Sequence, residues 1–175
     1  MNKSAPTLLV SVTDQLAIIK IVGRATVASS VSFKRLVNEL RDRGFQHFIL
    51  DLSECATMDS TFLGVLAATA LKATGGTEPS RDSGLELLNP NDRVAELLDN
   101  LGVAHLFRTS YCPVPNGSKF TVADGASSGA TREEISRTCL EAHQLLMQIN
   151  PDNVPKFKDV TQFLAEDLKK LGSAS

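Results

Sequence analysis

Residues 58–66, which read MDSTFLGVL, place one acidic and two hydroxyl side chains directly before an unbroken apolar run. The segment over residues 61–74 is apolar on nearly all sides, and such a segment is expected to form a buried helix. We therefore predict a helix over residues 61–74 with Ser60 as its N-cap, whose hydroxyl would accept a bond from a free backbone N–H. Gly64 inside this helix indicates the close approach of a neighbouring element.

The start of a helix is also a favourable place for a phosphoryl group. The first backbone N–H groups have no acceptor within the helix, and the positive end of the helix dipole favours added negative charge. Position alone therefore leaves two interpretations of Ser60, a structural cap or a site of modification. Capping is the commoner role for a serine at this place.

The segments around this stretch have the pattern of strands in an α/β protein. Residues 7–12 and 16–22 are short runs rich in Leu, Ile and Val, separated by a turn, and predict a hairpin. Residues 47–52 form a continuous apolar run of the kind found in a central strand covered on both faces. Residues 85–88 predict a further strand, and residues 104–109 predict a last one.

Helical patterns alternate with these strands. A first helix is predicted before residue 47, because apolar residues recur there at helical spacing, at Phe33, Leu36, Val37 and Leu40. Ser29 or Ser30 is its predicted N-cap. Asn89 as N-cap and Pro90 at the first helical position predict the start of another helix. This order of elements predicts a single α/β domain with a mixed, mostly parallel sheet of four to five strands, connected by right-handed crossovers.

The composition changes at Pro113, and this change divides the chain. We predict an α/β domain over residues 1–112, a linker or surface excursion over residues 113–130, and a C-terminal pair of amphipathic helices over residues 131–175.

Within the C-terminal pair, Thr131 and Glu134 have the spacing of a capping box, and Pro151 and Pro155 are predicted to break the chain between the two helices. The apolar stripes of the pair either fold back on the domain or serve for self-association, which would give a homo-oligomer.

Composition and charge exclude several classes of function. Lys plus Arg number 18 and Asp plus Glu number 20, for a net charge of -2, so no basic face for direct binding of nucleic acid or a membrane is expected. The three cysteines, Cys55, Cys112 and Cys139, include no C-x-x-C pair, so neither a disulfide framework nor a cysteine-built metal site is predicted. No export signal or apolar span is apparent, and we predict a cytoplasmic protein.

Motifs for catalysis are also lacking. The sequence has no G-x-x-x-x-G-K-[ST] loop for nucleotide, and MDSTF lacks both glycines of a hydrolase nucleophile elbow. A base for Ser60 would have to be His47, His105 or His143, and no motif places any of them beside it. We therefore expect neither enzymatic activity nor a cofactor.

The sequence around residue 60 resembles the signature of STAS domains, the family of anti-sigma factor antagonists. The matching pattern is D-L-S-x-x-x-x-M-D-S-T-x-L-G-V-L over residues 51–66. The resemblance extends over residues 7–109 and includes GRAT at residues 23–26 and RVAELLDNLGV at residues 93–103. Two positions differ from the usual family pattern, because Phe62 stands where glycine is common and Thr26 stands where an aspartate is common.

The resemblance implies a binding protein controlled by phosphorylation. In the family, the serine after the aspartate is phosphorylated by an anti-sigma factor with serine kinase activity, and the unphosphorylated form binds that kinase and frees a sigma factor. By position, Ser60 is the implied phosphoacceptor and Thr61 the secondary candidate. The implied partner-binding residues are Gly23, Arg24, Thr26, Asp59, Ser60, Thr61 and Phe62.

An alternative within the same family stays open. The chain could be a STAS interaction module of another system, such as stress signalling or lipid transport, in which Ser60 is only a helix cap. The two interpretations differ in what a negative charge at position 60 should do to partner binding.

Overall fold

The computed structural model describes residues 7–73, 84–123 and 129–173 of the 175-residue chain. Within these residues the chain forms one mixed sheet of seven strands and five α-helices. The strands are β1 (Thr7–Val12), β2 (Leu16–Ala25), β3 (His47–Asp51), β4 (Cys55–Met58), β5 (Leu85–Leu88), β6 (Arg108–Ser110) and β7 (Thr121–Val122). The helices are α1 (Val27–Asp42), α2 (Ser60–Ala73), α3 (Asp92–Asn100), α4 (Arg132–Ile149) and α5 (Val154–Ser173).

The sheet has the order β6-β5-β3-β2-β1-β7, and β4 pairs with the end of β2 outside this path. Strands β2, β3, β5 and β6 run parallel to one another, whereas β1 is antiparallel to both β2 and β7. The predicted α/β class and the mostly parallel sheet are confirmed. The number of strands is larger than predicted because β4 and β7, of four and two residues, are too short to show a pattern in the sequence.

Helices α1 and α2 pack against each other on the sheet. The rings of Phe33 and Phe62 lie 5.3 Å apart at the centre of this contact, and both side chains are fully buried. Helix α4 lies over α1 and α2, and α5 packs mainly on α4. The apolar stripe of α4 therefore folds back on the domain, with Ala142 and Leu146 in the main core.

Gly64 allows α4 to approach α2 closely. A Cβ atom at position 64 would lie 2.6 Å from the Cβ of Ala142 and 2.7 Å from its carbonyl oxygen. Contacts this short do not occur between real side chains, so a larger residue here would force the two helices apart. The prediction that Gly64 marks a close approach is confirmed.

Several predicted helix starts were wrong, and tertiary contacts explain each one. Helix α1 begins after Thr26, and Ser29 and Ser30 lie inside it as buried residues. Helix α3 has Asn91 as its N-cap, because Asn89 takes a left-handed conformation (φ 54°) and donates its side-chain N–H to the Cys112 carbonyl instead.

The last predicted strand and the C-terminal helices also differ in detail. Residues 104–109 divide into a 3₁₀ turn, Ala104–Leu106, and the start of β6. Thr131 is the N-cap of α4 as predicted, because its hydroxyl accepts the Glu134 N–H at 3.1 Å. Pro155 does not break the helix, because it lies in the first turn of α5. The backbone N–H groups of a first turn have no acceptor within the helix, so the N–H that proline lacks is not missed there.

The stretch predicted as a linker contains β7, which pairs with β1 along the edge of the sheet. In the described part of the chain, no helix is long and apolar enough to cross a membrane.

Candidate functional site

Asp59 joins the starts of two helices at one edge of the sheet. Its backbone carbonyl accepts the Leu63 N–H at 3.1 Å, and its Oδ1 accepts the Phe62 N–H at 2.8 Å, which makes it the N-cap of α2. Its Oδ2 accepts the Val27 N–H from the first turn of α1, also at 2.8 Å. The prediction that Ser60 is the N-cap was therefore wrong, because the longer-reaching carboxylate of Asp59 serves both helices.

Ser60 occupies the first position of α2, and its hydroxyl is free for another contact. The side chain is half-buried, and its Oγ lies 2.8 Å from Nε2 of His143 on α4. The other ring nitrogen of His143, Nδ1, lies 2.8 Å from the carbonyl oxygen of Cys139. A carbonyl only accepts, so Nδ1 carries the hydrogen, and Nε2 of the neutral ring accepts the Ser60 O–H.

His143 is held in the neutral form by its surroundings. Burial lowers the pKa of His143 from its ordinary value of 6.5, and the Cys139 carbonyl and the charge of Asp59 oppose this shift without cancelling it. The ring is buried and packs against Phe157 of α5, with 4.7 Å between the ring centres. Ser60 is therefore hydrogen-bonded to an uncharged acceptor that cannot easily move away.

Thr61 and Phe62, two of the predicted partner-binding residues, point into the protein. Thr61 is buried, and its Oγ1 lies 3.2 Å from Sγ of Cys139. Phe62 is fully buried against Phe33, so the aromatic ring that replaces the usual family glycine fills the core and leaves the helix entrance clear.

The other predicted partner-binding residues lie at the end of β2 and directly after it, beside Asp59. Gly23 has φ 96°, a conformation that favours glycine, and its N–H donates to the Glu54 carbonyl at 3.0 Å. Arg24 is exposed and Thr26 half-buried. The Asp59 N–H donates to the Ala25 carbonyl at 2.9 Å and so joins the end of β2 to the start of α2. The structure thus brings residues 23–26 and 59–60 to one edge.

Sequence analysis missed the roles of His143 and Cys139. They lie one helical turn apart on α4 and both reach the start of α2, 83 and 78 residues away from their contacts. The only signal was that Cys139 belongs to the apolar stripe of α4 while His143 flanks it. Within the described residues, no group of His, Cys, Asp and Glu side chains is arranged to hold a metal ion.

The described elements form a small α/β domain with a hydroxyl at the start of α2, and sequence comparison identifies its family. The STAS domain model matches residues 7–113, which is more than half of the chain. The chain therefore belongs to the STAS domain family. The match ends before α4, so the two C-terminal helices lie outside it.

Solved structures show the same fold. An anti-sigma factor antagonist from Mycobacterium paratuberculosis is 15% identical with a TM-score of 0.51, and the match covers 65% of this chain and 91% of that one. The protein TM1081, from Thermotoga maritima, is 19% identical with a TM-score of 0.51, covering 58% and 78%. The anti-sigma factor antagonist SpoIIAA in its unphosphorylated form is 17% identical with a TM-score of 0.49, covering 61% and 88%. The comparison with curated proteins found no match.

Proposed function

We propose that this protein is an anti-sigma factor antagonist controlled by phosphorylation of Ser60. In its unphosphorylated form it binds an anti-sigma factor with serine kinase activity, and this binding releases a sigma factor. Phosphorylation of Ser60 ends the binding. The protein acts in the cytoplasm as a binding partner, without catalysis of its own.

The observation that carries the proposal is the division of roles between Asp59 and Ser60. Asp59 makes both helix caps with its carboxylate, so the Ser60 hydroxyl is not needed to hold α2 in place. A hydroxyl at the first position of a helix, half-buried beside an exposed loop, can receive a phosphoryl group without loss of the cap.

The negative charge added by phosphorylation at this edge would end partner binding. A phosphate adds about -1.5 to -2 charges at neutral pH. This charge would lie beside the Asp59 carboxylate, at the edge that also carries the exposed Arg24 at the end of β2. A partner surface that fits a neutral hydroxyl next to one carboxylate would then meet a bulkier group with two or three negative charges, and the repulsion and desolvation of these unmatched charges would weaken binding.

The proposed docking surface consists of the exposed and half-buried residues of this edge, with the buried ones in support. Gly23, Arg24, Thr26, Asp59 and Ser60 would contact the partner. Thr61 and Phe62 would act indirectly, because they anchor the first turn of α2 in the core. Since Thr61 is buried, Ser60 is the preferred phosphoacceptor.

The experiment is a binding titration against a candidate anti-sigma factor kinase from the same organism. We compare the wild type with Ser60→Ala, Ser60→Asp and, as a control for charge at an exposed site, Ser53→Asp. We expect Ser60→Ala and Ser53→Asp to bind like the wild type, and Ser60→Asp to bind at least about tenfold more weakly. Equal binding by all four would show a constitutive STAS module and overturn the switch.

A second measurement tests the modification itself. After incubation with the kinase and ATP, fragment mass spectrometry should locate one phosphate on Ser60, and Ser60→Ala should remain unlabelled. A phosphate found on another residue, or none in a complex that forms normally, would contradict the assignment.

A further inference from the structure

Helix α4 is seated directly on the proposed phosphoacceptor. Three consecutive contacts follow the start of α2: Ser60 with His143, Thr61 with Cys139, and Gly64 with Ala142. The first two are polar contacts at 2.8 and 3.2 Å, and the third is a direct contact between the helix backbones. The part of α4 between residues 139 and 143 therefore closes over the first turn of α2.

Ion pairs and a buried amide hold the rest of α4 in place. Arg35 of α1 forms a bidentate pair with Glu134, with one of its two bonds at 3.0 Å, and this geometry holds the start of α4 against α1. Lys34 lies 3.5 Å from Glu141, and this more exposed pair contributes little. The buried Asn153 side chain donates to the carbonyls of Leu101 and Leu146, which ties the far end of α4 to the domain. Helix α4 can thus leave Ser60 while its far end remains attached.

There is no room for a phosphate between Ser60 and His143 while α4 is docked. The two atoms are already at hydrogen-bond distance, and a phosphoryl group would need to occupy the position of the His143 ring. Phe157 of α5 packs against that ring, with 4.7 Å between the ring centres, which restricts its movement. The free N–H groups and the positive dipole end at the start of α2 stabilise a phosphate on Ser60. The element that must move to make room for it is therefore α4.

The charges around the Ser60 hydroxyl do not stabilise a phosphate there while α4 is docked. Asp59 adds a negative charge on the α2 side, while His143 is buried and its pKa is lowered by that burial. Cys139 and Thr61 contribute only neutral dipoles. Two groups could attract the phosphate: the exposed Arg24, which lies on β2 and not on α4, and a protonated His143, which would have to be charged inside an apolar contact with Phe157.

We infer that phosphorylation of Ser60 releases α4 from α1 and α2, so that docked α4 is part of the surface of the unphosphorylated protein and is lost from it on modification. This rests on the proposed function only in taking Ser60 as the residue that is modified. Coupling of this kind is reciprocal, so a more firmly docked α4 must disfavour the phosphorylated form by the same factor.

The inference can be tested without a kinase. Phosphoserine is incorporated at position 60 of the full chain during translation, and amide hydrogen exchange is measured for residues 138–146. We expect these amides to exchange about 5- to 150-fold faster than in the wild type, the range of typical coupling between sites. The native Cys139 thiol should be alkylated faster as well, relative to the exposed Cys112 in the same molecule.

Three controls separate release of α4 from unfolding and from charge alone. Phosphoserine at the exposed Ser53 adds the same charge nearby and should leave α4 protected. Gly64→Ala pushes on Ala142 without any charge and should expose α4 in the same way. In every variant the amides of β3 and the buried Cys55 should stay protected, which shows that the domain remains folded.

Unchanged or slower exchange of residues 138–146 in the phosphoserine-60 protein would overturn the inference, because the phosphate would then fit beneath docked α4. Loss of protection in β3 together with α4 would overturn it too, since the effect would be global unfolding. If α4 is released but no kinase binds in the titration, the proposed function fails while this coupling stands.

Discussion

Helices α2 and α3 begin in similar ways but make different use of their first residues. Each is preceded by a residue whose side-chain oxygen accepts a backbone N–H of the first turn, Asp59 for α2 and Asn91 for α3, at 2.8 and 2.9 Å. Asn91 is exposed, and its amide also donates to the carbonyls of Cys55 and Ala56 nearby. Asp59 instead caps a second helix, α1, and leaves a spare hydroxyl beside it.

The difference teaches that an ordinary cap and a functional hydroxyl can be told apart by what each polar atom does. At α3, a single residue makes every polar contact, because the Asn91 side chain both caps the helix and bonds to β4. At α2, Asp59 makes the cap without Ser60, and the Ser60 hydroxyl bonds to a helix 83 residues further along the chain. The start of α2 therefore joins α1, α2 and α4, whereas the start of α3 joins that helix only to β4.

The largest expected effect is that of Asp59→Ala. It removes two charge-assisted bonds and uncaps two helices, so we expect a loss of about 2–4 kcal/mol in the free energy of unfolding. Urea unfolding followed by circular dichroism gives this value directly. If the loss is no greater than that for Asn91→Ala, Asp59 does not join two helices as described.

His143→Gln should have the next largest effect and should change the pH dependence. We expect a loss of roughly 1–3 kcal/mol at neutral pH, since a buried ring with two hydrogen bonds is replaced. Because the folded-state pKa lies below the ordinary 6.5, the unfolded chain binds the proton more readily, so His143 makes the wild type lose stability as the pH falls through 6.5.

The measurement is the difference in unfolding free energy between the wild type and His143→Gln at several pH values. This difference should shrink as the pH falls below 6.5, because the glutamine variant lacks the group that titrates. A difference that grows at lower pH would mean that the ring is charged when folded, and would contradict the neutral tautomer.

Asn91→Ala should cost about 1 kcal/mol, the usual value for loss of a single exposed cap. Water can replace the contacts of the exposed amide, which keeps the effect small. Asn91→Asp provides the matched control, because it keeps the cap oxygen and loses the donors to Cys55 and Ala56. Thermal unfolding of both variants would separate the two contributions.

The smallest effect is expected for Ser60→Ala, about 0.5–1 kcal/mol in unfolding free energy. The variant loses only the bond to His143, since Asp59 keeps the cap. If Ser60→Ala lost as much unfolding free energy as Asp59→Ala in the same urea series, Ser60 would be the N-cap of α2 after all.

Much of the fold could be predicted from local patterns because those patterns are strong. The apolar run of β3, the all-round apolar α2 and the Thr131 cap of α4 all have signals within a few residues. The cap of α3 shows where this fails. Asn89 and Asn91 both suit the role, and only the left-handed turn at Asn89, which follows β5 at the sheet edge, decides between them.

The candidate site also has a part that local sequence predicted and a part that it did not. The polar residues before the apolar segment were sufficient to locate the helix start, because a polar group before a buried helix has few physical roles. The family was identified from the resemblance of residues 51–66 to the STAS signature. The identity of the cap was not predictable, since Asp59 and Ser60 are adjacent and both have suitable oxygens. The choice depends on the distance to Val27 of α1, which local sequence does not contain.

The sequence by itself determined the class of fold and the position of the hydroxyl at the start of α2, because these depend on periodicity and on short-range hydrogen bonding. The family followed from the resemblance of residues 51–66 to the STAS signature. Only the tertiary structure decided what covers that hydroxyl. His143 and Cys139 reach Ser60 and Thr61 because Gly64 lets α4 come within contact of α2. Such long-range packing follows from the shapes of two distant helices together, and neither helix shows it alone.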